Sequence, residues 1–165
     1  MIIKYLMDFI YNTIKRIEET LKDCRTLNMN RSIQLDNYSC AAHCVYMILE
    51  YYKIPKTLNE ILNGLKTSKR DGTDTEPILN YLRINSLEVE INTHSKLSQI
   101  HSAIDSLNPI LISVDNVEHW VVIYGYNREG IFVLDPSKKK LLNHWSISEF
   151  IQHWDDNWTA IIRKE

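Results

Sequence analysis

The stretch Gln34-Leu35-Asp36-Asn37-Tyr38-Ser39-Cys40-Ala41-Ala42-His43-Cys44-Val45-Tyr46-Met47-Ile48-Leu49-Glu50-Tyr51-Tyr52 decides how this chain folds. Within it Ala41, Cys44, Val45, Ile48, Leu49 and Tyr52 recur at intervals of three and four residues, the spacing of one face of an α-helix. The pattern predicts a core helix whose first turn, carrying Cys40, reaches the surface. Unpaired N–H groups and aligned peptide dipoles give a helix start partial positive charge, which favours the thiolate form of a cysteine held there. Ser39 stands where a capping hydroxyl is expected.

Working outward from this helix, residues 27–37 read as a connecting segment on its N-terminal side. On the other side, Leu58–Leu65 reads as a short helix and Asp71-Gly72 as a turn. Thr73 or Thr75 would cap a helix through Ile78, Leu79 and Leu82, with Pro77 in its first turn. Leu87, Val89 and Ile91 alternate as a strand, Leu97, Ile100, Ile104 and Leu107 mark a helix, and Ile110–Val114 is an apolar strand. Residues 117–126 and 131–134 flank Asn127-Arg128-Glu129-Gly130 as a β-hairpin. Residues 141–145 and 159–162 supply further strands, and Ser146 or Ser148 would cap a helix through Phe150 and Trp154. Helices come first and an antiparallel sheet second, an α+β layout without internal repeats.

The first residues form a separate element. Ile3, Leu6, Ile10, Ile14, Ile17 and Leu21 recur at helical spacing, and Lys4 and Asp8 break any secretory apolar core. The apolar run falls short of the ~20 residues that span a bilayer. Residues 1–26 are therefore expected to be an amphipathic helical extension that packs on the domain, on a partner or on a second copy, and residues 27–165 a single domain. Acids as well as bases on its polar face disfavour a membrane surface.

Composition narrows the function classes. The 165 residues are 44% hydrophobic, enough for one substantial core. A net charge of -2 offers no broad cationic field, and the run Lys138-Lys139-Lys140 falls where a turn would project it into water, so nucleic acid is not an expected partner. Cys24, Cys40 and Cys44 follow neither zinc-site nor disulfide-scaffold spacing. The expected address is the cytoplasm, with export by another route left open.

Three residues in chain order carry the chemistry: Cys40 at the helix start, His119 opening a strand-like run, and Asp135 in Asp135-Pro136 after the next strand. A thiol needs a base to become a nucleophile, the base needs an orienting acceptor, and groups from separate elements can converge across a cleft. Each residue alone has a plainer reading. Cys40 could be a packed thiol, His119 a satisfied strand histidine beside a core Trp120, and Asp135-Pro136 a turn. Cys40, His43 and Cys44 share a helix face, but no fourth ligand of matching spacing completes a metal site. Cys44 and Val45 lie on the apolar stripe, which makes Cys44 a core residue. His94, His101, His144 and His153 stand outside any motif.

The two-part layout resembles papain-like enzymes, in which a helical lobe carrying the Cys packs against an antiparallel sheet carrying His and Asp. The set Gln34 through Ala42, Gly72-Thr73, Leu87-Glu88-Val89, His119-Trp120-Val121-Val122 and Asp135-Pro136 resembles, more narrowly, the double-glycine leader peptidase family. Those domains process bacteriocin precursors, usually fused to an export transporter, and stand-alone members exist. The likeness spans roughly residues 33–163 and implies that this chain is of the stand-alone kind. It implies Cys40 as nucleophile, His119 as general base and acid, Asp135 as the group orienting His119, and Gln34, six residues before Cys40, as an oxyanion donor. The family usually has Asp-Cys-Gly where this chain has Ser39-Cys40-Ala41, placing a methyl group where the family pattern leaves room for substrate or a tight turn.

The implied activity is that of a cysteine peptidase on a peptide or protein substrate, through a thioester and without metal or cofactor. The same site chemistry would serve a deamidase or acyltransferase, and a silent domain of this kind would bind peptide without turnover.

Overall fold

The computed structural model describes residues 2–137 and 144–164; the lysine run 138–140 and the first residues of the strand expected over 141–145 lie outside them. In chain order the elements are α1 (Ile2–Lys22), β1 (Arg25–Thr26), α2 (Cys40–Tyr51), α3 (Leu58–Leu65), α4 (Thr75–Ile84), β2 (Leu87–Asn92) and α5 (Leu97–Asp105). There follow β3 (Ile110–Val114), β4 (His119–Tyr126), β5 (Gly130–Leu134), β6 (His144–Ser146), α6 (Ile147–His153) and β7 (Thr159–Lys164). No helix among the described residues is long and apolar enough to cross a membrane.

The strands make one antiparallel sheet in the order β2-β7-β3-β4-β5-β6, with β1 paired beside the end of β4. Both faces are covered. Trp120 and Val122 of β4 join the core of α2, α3 and α4. Val121 and Ile123, pointing the other way, join the core of α5 and α6. This double burial explains why β3 and much of β4 read as unbroken apolar runs instead of alternating. Arg25 and Thr26, counted with the extension from sequence, form β1 opposite Tyr126 and Gly125. A Cβ on Gly125 would lie 2.4 Å from the Arg25 carbonyl oxygen, so only glycine admits this approach.

Helix α2 departs from the expectation of a surface first turn: Cys40, Ala41, Ala42 and His43 are all buried. The connecting segment folds over the helix start, where Ser32 Oγ and His43 Nδ1 are 2.7 Å apart. Ser39 occupies the cap position, but its hydroxyl donates to Asp36 Oδ1 at 2.7 Å instead of capping the helix. The same Asp36 oxygen accepts from the Tyr38 and Ser39 N–H groups at 3.0 and 2.9 Å. The Asp36 carboxylate thus takes up donors that a capping serine would otherwise leave for water.

Other ends shift by a residue or two. Asp74, not Thr73 or Thr75, is the cap position of α4. Ser146 caps α6, accepting from the Glu149 N–H at 3.2 Å. Strand β4 begins at His119, later than expected, because Asp115, Asn116 and Val117 all take positive φ, at 55°, 59° and 66°. Hydrogen bonds from the Asp115 N–H to the His153 carbonyl and from the Asn116 N–H to Asp155 hold this turn.

The apolar face of α1 is exposed, from 44% at Ile10 to 77% at Ile3, so its described side chains do not pack on the domain as one expectation had it. Periodicity encodes an apolar stripe and leaves open what covers it. The side chains of Ile17 and Leu21 lie outside the described residues.

A chain begun at Asp23 is expected to unfold at the urea midpoint of the full chain. Ile48→Ala, which empties a fully buried site on α2, should lower the unfolding free energy in the same titration by about 2–5 kcal/mol. Val117→Asn should raise it by up to about 1 kcal/mol, because Asn tolerates the left-handed region better than a β-branched residue.

Candidate active site

Cys40 begins α2 and is 8% exposed. It meets solvent through a cleft of about 380 Å³ lined also by Tyr38, Arg70, Gly72, Glu118 and Trp120. The far rim is the loop before α4, closed by paired hydrogen bonds between Ser68 and Gly72 and by Thr67 Oγ1 to Thr73 Oγ1 at 2.8 Å. Gly72 sits at φ 69°, a conformation that suits glycine, and backs onto the Tyr38 carbonyl. Trp120 closes the cleft floor and stacks edge-to-face on Trp158.

Antiparallel pairing brings the other groups to this end of α2. The β4–β5 register sets Val122 opposite Leu134, which lays the start of β4 beside the residues just past β5. His119 Nε2 donates to Asp135 Oδ1 at 2.6 Å, and the Cys40 side chain lies near enough to the His119 ring to favour its charged form. Asp135 Oδ1 accepts a second bond from the Ser137 N–H at 2.8 Å. The Cys44 thiol, one turn past Cys40, donates to the Trp120 carbonyl at 3.2 Å and ties α2 to β4. Burial, with the Cys40 and Asp135 charges, pushes the Cys44 thiol well above its usual range, which fits an inert core residue.

The electrostatics are those of a coupled pair. Burial opposes charge on His119, yet the Asp135 hydrogen bond and the neighbouring Asp135 and Cys40 groups outweigh it and push the imidazole up to about 9. Burial alone would raise the Asp135 carboxyl; His119, the Ser137 N–H and the Arg31 charge hold it below the ordinary carboxylate value. His43, on the same helix as Cys40, is turned away to Ser32, and its burial keeps the ring below the usual imidazole value despite Asp36.

Gln34 is buried in the connecting segment. Its N–H donates to the Pro136 carbonyl at 2.9 Å, and its Nε2 donates to the Asp36 carbonyl at 2.9 Å. Its Oε1 is buried without a hydrogen-bond partner among the protein groups, an arrangement that costs about 1–3 kcal/mol when no water serves it. Of the four residues singled out by sequence, His119 and Asp135 are thus joined by a hydrogen bond, Cys40 lies beside the His119 ring, and Gln34 reaches the group through its backbone contact with the Asp135 turn.

Sequence reasoning passed over Arg31. It lies in a segment without regular structure, and its only signal was a cation shortly before Gln34; the turn it grips is more than a hundred residues away. Also missed was the turn at residues 115–117, whose β-branched Val117 gives no hint of a left-handed conformation. No group of three or more His, Cys, Asp or Glu able to hold a metal ion occurs among the described residues. Cys24, Cys40 and Cys44 are all free thiols.

Several known proteins share this architecture. The peptidase domain of Streptococcus ComA, a bifunctional ABC transporter involved in a quorum-sensing pathway, superposes with a TM-score of 0.71 at 17% identity, over 82% of this chain and 98% of that one. A double-glycine-motif protease from an AMS/PCAT transporter, solved in complex with a leader peptide, gives 0.69 at 21% identity, over 86% and 95%. At these identities the likeness is one of fold. In sequence, the chain is 27% identical over 124 residues to the lactococcin-G-processing and transport ATP-binding protein LagD of Lactococcus lactis subsp. lactis. That match takes in 73% of this chain but only 17% of LagD. The family model for the peptidase C39 family matches residues 28–165, so the chain belongs to the peptidase C39 family of cysteine peptidases.

Proposed function

We propose that this protein hydrolyses a peptide bond through a Cys40-His119-Asp135 triad and a thioester intermediate. The observation that carries the reading is the His119 ring bonded to Asp135 Oδ1 at 2.6 Å, with Cys40 at the helix start beside it. His119 accepts the Cys40 proton, the thiolate attacks the scissile carbonyl, and the imidazolium returns its proton to the leaving amine. Water then attacks the thioester with His119 as base, releasing the acid and restoring the thiol. Asp135 keeps the ring oriented and favours its charged form.

Gln34 is the proposed oxyanion donor. Its amide nitrogen has two hydrogens, one given to the Asp36 carbonyl and a second left for a developing charge, with the Cys40 backbone N–H as partner donor. The methyl of Ala41, where the family usually has Gly, is fully buried in the core and does not narrow the cleft. The proposed substrate is a peptide with a double-glycine-type leader, by likeness to relatives whose names record a leader peptide or bacteriocin processing. Residues 27–165 form the proposed peptidase domain and residues 1–26 its extension, with a partner or a second copy as the proposed contact of the exposed α1 face.

Incubated with a double-glycine leader peptide and followed by mass spectrometry, the wild type should release the leader, and Cys40→Ala should leave the peptide intact. Ammonia release without chain cleavage would reassign the chain to deamidation. Gln34→Ala should lower kcat roughly 100-fold, about 3 kcal/mol of transition-state stabilisation, in a protein that still melts cooperatively.

Stability should carry a matching signature. The His119 contribution, from a pKa raised above the unfolded 6.5, is full below 6.5 and lost as pH rises through about 9. The Asp135 contribution, from a lowered pKa, is present above 3.8 and lost as pH falls below it. In urea titrations His119→Ala should therefore cost most between about pH 4 and 6.5, and the gap to wild type should shrink past about pH 9.

A further inference from the structure

Three successive carbonyls after β5 all accept from one short segment of the chain. The Asp135 carbonyl accepts from Arg31 Nε at 2.6 Å, the Pro136 carbonyl from the Gln34 N–H at 2.9 Å, and the Ser137 carbonyl from the Arg31 terminal nitrogen. Pro136 has no N–H of its own to anchor the turn. The guanidinium therefore grips the turn on both sides of the proline while the Asp135 side chain points to His119. Arg31 is half-buried, which protects these charge-assisted bonds from full competition by water.

We propose that Arg31 is a positioning residue, its planar fork fixing the Asp135 turn so that the carboxylate meets His119 and joining that turn to the segment that bears Gln34. The inference rests on the triad reading above. It assigns to one side chain the coupling between two site elements that no strand or helix connects. A neighbouring positive charge is a secondary benefit, since Arg31 also helps to keep Asp135 ionised. A lysine would supply charge without the two fixed donors that span Asp135 and Ser137.

The test is the rate of Cys40 alkylation by iodoacetamide across pH, read by peptide mapping with Cys24 as internal reference, in wild type, Arg31→Met, Arg31→Lys and His119→Ala, alongside thermal melting of each. Arg31→Met is expected to keep a cooperative melt and to slow Cys40 labelling at neutral pH by roughly tenfold or more, with a changed pH profile, because displacement of a supporting group by about 1 Å is enough for such losses. Arg31→Lys should recover only part of the rate. A folded Arg31→Met with the wild-type profile would overturn the proposal, and so would full recovery in Arg31→Lys, which would leave charge as the sole role. Should Arg31→Met fail to fold, the Arg31→Lys profile decides alone: slowed labelling supports the fork, wild-type labelling overturns it. If wild-type Cys40 labels no faster than Cys24 and is indifferent to His119→Ala, the triad reading itself fails, a result distinct from any Arg31 effect.

Discussion

Helix α2 has almost no side that tolerates water: nine of its twelve residues are buried. An element of that kind has to be enclosed, and the enclosure dictates much else. The sheet lies against one side of it through Leu111, Trp120, Val122 and Leu134, and α3 and α4 pack around the remainder. The Cys44 thiol bonded to the Trp120 carbonyl fixes α2 lengthwise against β4, so the first residue of the helix and the first residue of the strand arrive at the same end of the molecule. The distance between a candidate nucleophile and a candidate base is thereby set by the packing of apolar side chains rather than by the polar groups themselves.

The polar groups refine what packing delivers. Asp36 gathers the donors of the segment before α2, and Ser32 takes the His43 ring out of contention for Cys40. His119 and Asp135 meet at the edge of the core, where the carboxylate is largely dehydrated yet still doubly bonded. In such a place an ion pair is stronger than at the surface and an unpaired charge more costly. The surrounding shell of backbone acceptors and donors keeps either partner from being left alone.

Much of this was legible in the sequence because it rests on periodicity. The helical spacing of residues 41–52 located α2, the apolar runs located β3 and β4, and the order of Cys40, His119 and Asp135 suggested which ends would converge. The unread part depends on contacts between distant segments. Nothing near Ser39 says that its hydroxyl will turn to Asp36 instead of the helix, and nothing near Val117 says that tertiary bonds from α6 and beyond will hold it at φ 66°. The burial of Cys40 was misjudged for the same reason, since an extended segment of mixed composition lies over the helix start. For α1 the converse holds: its stripe was plain, and its described side chains are left exposed.

A stability gradient runs through the candidate site. The amide hydrogens of α2 sit in the part of the core that opens only when the whole molecule unfolds, so their exchange with solvent deuterium should be governed by the global free energy. The segment carrying Arg31 and Gln34 has no ladder of its own and is attached to the Asp135 turn by a few bonds. Its protection therefore rests on those bonds and on the burial of Gln34 rather than on a ladder. The thiol is thus carried by an element as permanent as the fold, while the turn that bears Asp135 is tied by a few bonds to a segment outside the cleft lining, so a change at that turn would register as altered local protection without any movement of the helix that carries the thiol.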